Sequence, residues 1–140
     1  MNVTVKGIDS TLKYIEQQAK NADAAVNRGV VATAGQIQRT AVLSINESTP
    51  GELGYSSVRK GKTHIKSSEG SAPNADSGTL SRSVTIFKDP TRKEATVFSD
   101  LDYGAYLEFV LNRPWLEPAL DKNAGNLRDN IDNQLRKGIK

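Results

Sequence analysis

The chain has 140 residues and a mass of 15.2 kDa, which is the size of one domain and leaves no room for a catalytic domain with a separate accessory domain. It contains no cysteine and one histidine, which excludes disulfide frameworks, thiolate metal sites and Cys nucleophiles. The net charge of +3 and the pI near 9.2 are mildly basic, below the charge that dedicated nucleic-acid-binding domains concentrate on one face.

The first residues predict a short strand, because Val3 and Val5 alternate with polar side chains. They contain no apolar segment of the signal-peptide kind, and no run approaches the roughly 18 apolar residues of a membrane span. We therefore expect a soluble protein that is made in the cytosol and does not enter a membrane.

A long amphipathic helix is predicted after Gly7, because apolar residues recur every three or four positions over residues 8–45. Asp9 or Ser10 is placed to cap its start, and the polar run 46–50 to end it. A straight helix of that length would span about 57 Å, whereas a compact chain of this size has a radius of gyration of about 14 Å. We expect the helix either to break, near residues 27–29 or at Gly35, or to project beyond its own domain. The simpler of these is a broken helix that covers its own sheet.

Residues 46–78 predict an extended, flexible loop or arm, since they are rich in Ser, Gly, Asn and Pro and show no periodicity. Such an arm is either a solvated mobile segment or one that orders against an acidic partner or phosphate. Its candidate apolar anchors are Leu53, Tyr55 and Ile65. Its candidate charged contacts are Arg59, Lys60, Lys62 and Lys66, which have no acid between them.

The second half of the chain predicts regular structure. Residues 83–88 and 94–99 are β-rich runs around an Asp-Pro turn, which predicts a hairpin. A short helix is predicted over 103–110, and a last helix from Pro118 whose apolar stripe Gly125 interrupts only mildly. The expected fold is α+β: a single domain, 1–140, with a long N-terminal helix and a C-terminal helix packed on a small antiparallel sheet.

The candidate chemistry is sparse. Asp100, Asp102 and Glu108 lie close in sequence and could hold Mg²⁺ in a nuclease. However, Asp100 and Asp102 fall where a strand passes into a helix, which favours capping. His64 in a polar loop gives poor support for a Ser-His-Asp site, and no glycine-rich phosphate loop is present. We expect no enzyme and no cofactor, with a small Mg²⁺-dependent nuclease as an alternative.

The Lys and Arg cluster could contact DNA phosphates. It lacks the interleaved aromatic residues of a single-strand binder and lies on no helix that would enter a groove. Only weak, non-specific and salt-dependent contact with DNA is expected. A small nucleic-acid-associated accessory protein is therefore a second alternative.

Three segments, in this order, resemble a known family. Residues 72–84 (APNADSGTLSRSV) are similar to AP-x-x-[DT]-[ST]-G-x-L-x-x-S-[IV], residues 103–109 (YGAYLEF) to Y-A-x-Y-[VL]-E-F, and residues 113–120 (RPWLEPAL) to x-P-[FW]-L-x-P-A-[LI]. Together they resemble the small neck and tail-completion proteins of tailed bacteriophages, the family grouped around a minor tail component of a lambdoid phage. That family also opens with a long helix before a variable loop. This chain has Val110-Leu111-Asn112 where the family usually has Gly-Thr, which predicts an extended helix in place of that turn.

The resemblance implies a structural virion protein that acts as a tail-terminator-like ring subunit. The ring, a hexamer or dodecamer of this chain, would join the tail tube to the head connector, contact other neck proteins and be assembled in the host cytoplasm. A thin core, an Ala-rich helix too long for its domain and an apolar-poor arm independently fit a ring subunit. Besides the arm residues, the candidate interaction residues are Pro73, Asp76, Gly78, Leu80, Tyr103, Tyr106, Glu108, Phe109 and Trp115.

Overall fold

A computed structural model describes residues 6–56 and 59–138, so the strand predicted around Val3 and Val5 lies outside the described residues. The α+β prediction is confirmed. The described elements, in chain order, are α1 (Ile8–Asn46), β1 (Gly51–Tyr55), β2 (Thr63–Ser67), α2 (Thr79–Ser83), β3 (Thr85–Asp89), β4 (Glu94–Phe98), α3 (Asp102–Phe109), α4 (Glu117–Ala124) and α5 (Asn126–Gly138).

Helix α1 is one uninterrupted helix of 39 residues, so the predicted break near residues 27–29 or at Gly35 is wrong. A Cβ on Gly29 would lie 2.6 Å from Cγ1 of Ile131 in α5. Gly29 therefore allows a second helix to approach closely and is not a hinge. At Gly35 a Cβ would meet open space, and a single glycine inside a helix costs only about 1 kcal/mol.

The start of α1 also differs from the prediction. Neither Asp9 nor Ser10 caps the helix, because both lie in its first turn and Gly7, with φ of 101°, stands at the cap position. The Ser10 hydroxyl donates back to the Gly7 carbonyl over 2.8 Å. The end agrees with the prediction, since α1 ends at Asn46 and the Glu47 N–H donates to the Leu43 carbonyl.

The apolar stripe that predicts one C-terminal helix forms two helices, α4 and α5. They meet at Gly125, and α5 then runs antiparallel along α1. Side-chain bonds mark this path: Asn130 Nδ2 donates to Thr33 Oγ1 over 2.9 Å and Arg28 Nε donates to Gln134 Oε1 over 3.2 Å. Amide and hydroxyl groups thus line the helix pair beside a thin apolar seam.

The predicted hairpin is confirmed as β3 and β4, paired antiparallel from Thr85↔Phe98 to Asp89↔Glu94. Asp89 Oδ1 accepts hydrogen bonds from the N–H groups of Thr91 and Arg92, which builds the turn. The hairpin lies along α1, because Lys93 Nζ in its turn is 2.7 Å from Asp23 Oδ1.

The predicted irregular arm contains a second hairpin, which corrects the prediction for residues 46–78. Strands β1 and β2 pair antiparallel, with Leu53 opposite Ile65 and Gly51 opposite Ser67. The two hairpins are separate two-stranded sheets. This chain therefore has no common sheet under its helices among the residues described.

The core is small and lies at the C-terminal end of α1. Its buried members are Ile37, Ala41, Ile45, Leu80, Val84, Trp115 and Ala119. Since α5 reaches back only to the level of Asn21, residues 8–20 of α1 extend about 18 Å beyond it. We call this segment the α1 overhang. The expectation that the helix projects beyond its domain describes it correctly.

Candidate interaction surfaces

Glu108 joins two of the three segments quoted above, residues 103–109 and 113–120. Its buried carboxylate accepts hydrogen bonds from the backbone N–H groups of Trp115 (2.7 Å), Leu116 (3.1 Å) and Glu117 (2.9 Å). These N–H groups lie at the start of α4 and have no partner inside the helix. A carboxylate is the acceptor that a helix N-terminus favours most. Glu108 therefore fixes α4 against α3.

Trp115 and Leu80 lie in the core beside the contact between α3 and α4. The Trp115 indole Nε1 donates to the Gly104 carbonyl over 3.1 Å. A Cβ on Gly104 would lie 3.0 Å from Cδ1 of Leu80, so a larger residue there would require the Leu80 side chain to shift. Gly78, with φ of 72°, stands at the cap of α2. Leu80 and Trp115, which were predicted as interaction residues, thus make contacts within the chain, and Gly78 has a structural place at a helix start.

Asp100, Asp102 and Glu108, the carboxylates considered for Mg²⁺, do not form a metal-binding group in the structure. Within residues 6–56 and 59–138, no three His, Cys, Asp or Glu side chains are grouped so that they could hold a metal ion. The predicted capping role of Asp100 and Asp102 is also wrong, because Leu101 stands at the cap of α3 and no side chain caps it. Ser99 Oγ instead accepts the Leu101 N–H over 3.2 Å.

The chain turns after Glu108 and Phe109, so the extended helix predicted there is wrong. Helix α3 ends at Phe109, and Asn112 adopts a left-handed conformation with φ of 48°, which asparagine tolerates better than most residues. The Arg113 N–H then donates to the Leu107 carbonyl over 2.9 Å. This turn brings Arg113 back beside α3.

Asn74 and Asp76 clamp the β1–β2 hairpin to the rest of the chain. Asn74 Nδ2 donates to the carbonyls of Thr49 and Ile65, over 2.8 and 3.0 Å. Asp76 accepts from Ser56 Oγ over 2.7 Å and from Arg59 Nε over 2.9 Å. The Ser56 hydrogen bond, and then Arg59, lower the pKa of Asp76 below its ordinary value of 3.8. Arg59, predicted to meet an acidic partner, is thus paired within its own chain.

One face of this hairpin is apolar and uncovered. Leu53 and Ile65 are cross-strand partners, and Tyr55 lies two residues from Leu53, so all three share a face. Leu53 is 73% exposed and Tyr55 81% exposed. We call these three residues the hairpin face. Lys60 and Lys62 lie exposed near the hairpin's turn.

Two further apolar surfaces are uncovered. On α3 and the residue after it, Tyr106, Phe109 and Val110 are more than half exposed, and Phe109 reaches 81%. Tyr103 on the same helix is less exposed, and burial raises the pKa of its hydroxyl. We call Tyr106, Phe109 and Val110 the α3 face. The third surface is the α1 overhang, whose exposed large residues are Ile8, Leu12, Tyr14 and Ile15.

A cleft of about 650 Å³ lies between the hairpin and the body of the domain. Lys66 and Asp76, both predicted as interaction residues, line it, and the buried Pro73 forms part of its wall. Sequence reasoning did not single out several other lining residues, among them Ser67 and Arg113. Arg113 opens the segment 113–120 quoted above, but only the fold brings residues 67 and 113 to one cavity.

The chain matches no protein-family model, no curated protein and no solved structure. In the part of the chain that the structure describes, no helix combines the length and the apolar character needed to cross a membrane.

Proposed function

We propose that this chain is a structural subunit of a homo-oligomeric ring in the neck of a tailed phage, where a tail-terminator-like ring joins the tail tube to the head connector. The observation that carries the proposal is that three apolar surfaces of one small chain are uncovered: the α1 overhang, the hairpin face and the α3 face. Monomeric proteins rarely expose apolar patches larger than a few hundred Å². The phage assignment is supported by the resemblance of the three segments quoted above.

The positions of these surfaces favour a ring over a symmetric dimer. The α1 overhang lies at the start of a helix about 57 Å long. The hairpin face directly follows the end of that helix, and the α3 face is joined to the core there. Contact between unlike surfaces of successive copies is heterologous, and it closes into a ring when the rotation permits. The overhang of one copy would cover the α3 face or hairpin face of the next.

The free energy expected from covering the α1 overhang is consistent with a subunit of an assembly. The large apolar residues of the overhang are each more than half exposed. Covering them would contribute on the order of 1 kcal/mol per side chain. Repeated around a ring, contacts of this size stabilise an assembly without a large core in each subunit.

The arm cations fit this role better than that of a nucleic-acid-binding accessory protein. Arg59 is paired with Asp76, and Lys66 lines the cleft. Of the four predicted phosphate contacts, Lys60 and Lys62 remain, and two phosphate contacts give weak, salt-sensitive binding. Such contact suits DNA that passes through a channel.

Two measurements test the proposal. Native mass spectrometry and negative-stain electron microscopy of the purified chain should show closed rings of six or twelve copies. Leu12→Glu, which places a charge on the overhang, should reduce them to monomers. Gln17→Glu is the matched control, because it adds the same charge at an exposed polar position of the same helix.

The second measurement uses the parent particle. Deletion of the gene should yield heads and tails that fail to join, and peptides of this chain should be found in complete particles. Complete, infectious particles that lack the protein would overturn the proposal. So would a chain that stays monomeric in pure form and is absent from the particles.

A further inference from the structure

The cleft between the β1–β2 hairpin and the body is lined by two residues whose buried donor atoms have no hydrogen-bond partner among the residues that the structure describes. Ser67 is only 3% exposed, and its Oγ has no hydrogen-bond partner among the described residues. Arg113 Nε is buried and lacks a partner in the same way. Both residues line this one cavity. Buried polar groups are nearly always paired, since leaving a donor unpaired costs stability.

The charge around these donors is unbalanced. Across residues 6–56 and 59–138, neither Arg113 nor Lys66 takes part in an ion pair. Asp76 is the acid that lines the cleft, and its carboxylate already accepts from Ser56 and Arg59. His64 lines the same cleft. The cleft therefore attracts an anion.

The rest of the lining is largely apolar, with three polar residues, Asn74, Ser77 and Thr79. Its apolar part includes Ile45, Pro73, Leu80, Leu107 and Leu111, with the aromatic rings of Tyr55 and Tyr103. Apolar walls with a few convergent polar groups are the usual composition of a ligand site, and the volume of about 650 Å³ lies within the usual range. The ligand must therefore carry an apolar body as well as a negative charge.

We propose that this cleft binds a carboxylate carried on an apolar body, with Arg113 Nε and Ser67 Oγ donating to its oxygens and Lys66 flanking it. A carboxylate fits better than a phosphate. It is planar, it matches a guanidinium edge, and its single charge suits one arginine whose Nε is buried, whereas a phosphate monoester carries nearly two charges. A small organic acid and the free C-terminus of a peptide share this chemistry. The site lies within one chain. It shares Tyr55 with the hairpin face, but the test of binding below does not depend on ring formation.

Nuclear magnetic resonance of the ¹⁵N-labelled full chain gives a direct test, because the Nε–Hε group of Arg113 has its own resonance. The probe is 4-phenylbutyrate, and 4-phenylbutyramide is its neutral counterpart of the same shape. Saturable shifts of Arg113 Nε–Hε and of the Ser67 amide are expected with the acid. The amide and inorganic phosphate should leave both resonances in place.

The source of the carboxylate is then separated with a short peptide that ends in phenylalanine, used as the free acid and as the C-terminal amide. Tighter binding of the peptide acid than of 4-phenylbutyrate supports the site with a peptide as its ligand. Weaker binding of the peptide acid supports it with a small acid. Equal shifts with the acid and amide forms of either probe would overturn the proposal, since the charge would then play no part.

Variants test the assigned donors. Arg113→Gln should weaken binding of 4-phenylbutyrate about tenfold or more, because a charge-assisted bond is lost. Lys62→Gln removes the same charge from the arm outside the cleft and should change the affinity less than about twofold. Unchanged binding by Arg113→Gln contradicts the proposal. The wild-type titration decides the case if that variant misfolds: no shift of Arg113 Nε–Hε at millimolar acid means that water alone occupies the cleft.

Discussion

The two hairpins of this chain have the same size and different support. Both pair two five-residue strands antiparallel. The β3–β4 hairpin lies against α1, where Val97 packs on the core and Gln38 Nε2 donates to the Val84 carbonyl just before β3. The β1–β2 hairpin is held by the polar side chains of Asn74 and Asp76 and leaves its apolar face uncovered. Apolar packing fixes the β3–β4 hairpin to the domain, although its Phe87 is 61% exposed, whereas polar contacts fix the β1–β2 hairpin.

The largest expected effect is a loss of stability when the core is disrupted. Trp115→Ala should lower the free energy of unfolding by about 3 to 5 kcal/mol, because it empties a buried site and removes the indole bond to Gly104. Chemical denaturation measures this change. A loss below about 1 kcal/mol would show that the core does not hold this half of the molecule together.

Glu108 tests the support of α4. Glu108→Gln keeps the shape but loses the charge that three backbone N–H groups share. We expect a loss of about 1 to 3 kcal/mol in the free energy of unfolding. Glu117→Gln, an exposed carboxylate at the start of the same helix, is the matched control and should cost less than about 1 kcal/mol. Equal effects of the two variants would contradict the capping role.

The two glycines of α1 have different surroundings, so opposite effects on stability are expected when each is replaced by alanine. Gly29→Ala should cost about 1 to 3 kcal/mol, because its Cβ would collide with Ile131. Gly35→Ala meets open space and should stabilise by up to about 1 kcal/mol, since alanine favours the helix. Thermal unfolding of both variants measures the difference. A Gly29→Ala protein as stable as the wild type would show that α5 does not pack so closely.

The clamp on the β1–β2 hairpin gives a pH-dependent prediction. Because the pKa of Asp76 is lowered in the folded chain, its stabilising effect is complete above pH about 4 and is lost as the pH falls through the folded-state value. The protection of β1 and β2 amides against hydrogen exchange, taken relative to the intrinsic exchange rate at each pH, should therefore fall in acid before the core unfolds. Asp76→Asn should show weak protection already at neutral pH and lose this acid dependence. Asp129→Asn, far away in α5, should retain it.

The smallest effect on stability is expected on the hairpin face. Leu53→Ser should change the free energy of unfolding of the single chain by less than about 0.5 kcal/mol, because the side chain is already in water. The same variant should weaken ring formation. Thermal unfolding and native mass spectrometry measure the two effects separately. A large loss of stability in the monomer would mean that this face packs on its own domain.

The contrast between the hairpins also explains what the sequence could predict. Residues 85–89 and 94–98 are rich in β-branched and aromatic side chains and flank an Asp-Pro turn, so their hairpin was predictable. Residues 51–55 and 63–67 contain two glycines and few apolar residues, so their pairing depends on Asn74 and Asp76, which are distant in sequence. Local periodicity does not contain that information.

The predicted interaction residues fall into two groups: some are exposed on the surface, and others make their contacts inside the chain. Leu53, Tyr55, Tyr106 and Phe109 are exposed as an interaction role requires, but that role stays a prediction. Glu108 and Trp115 were predicted from motifs, and their contacts lie inside the chain, because a motif marks residues needed for folding as well as for binding. Ser67 and Arg113 were not predictable as a pair, since only the tertiary structure brings them to one cleft.

The central claim, that unlike ends of successive copies meet in a ring, is tested most directly by disulfide cross-linking. The chain has no cysteine of its own, so Leu12→Cys on the α1 overhang and Phe109→Cys on the α3 face introduce the only thiols. On oxidation, the double variant should give a ladder that stops at six or twelve subunits, and a mixture of the two single variants should give cross-linked dimers. Each single variant alone should stay uncross-linked. Dimers from a single variant alone, with no ladder from the double variant, would contradict the ring.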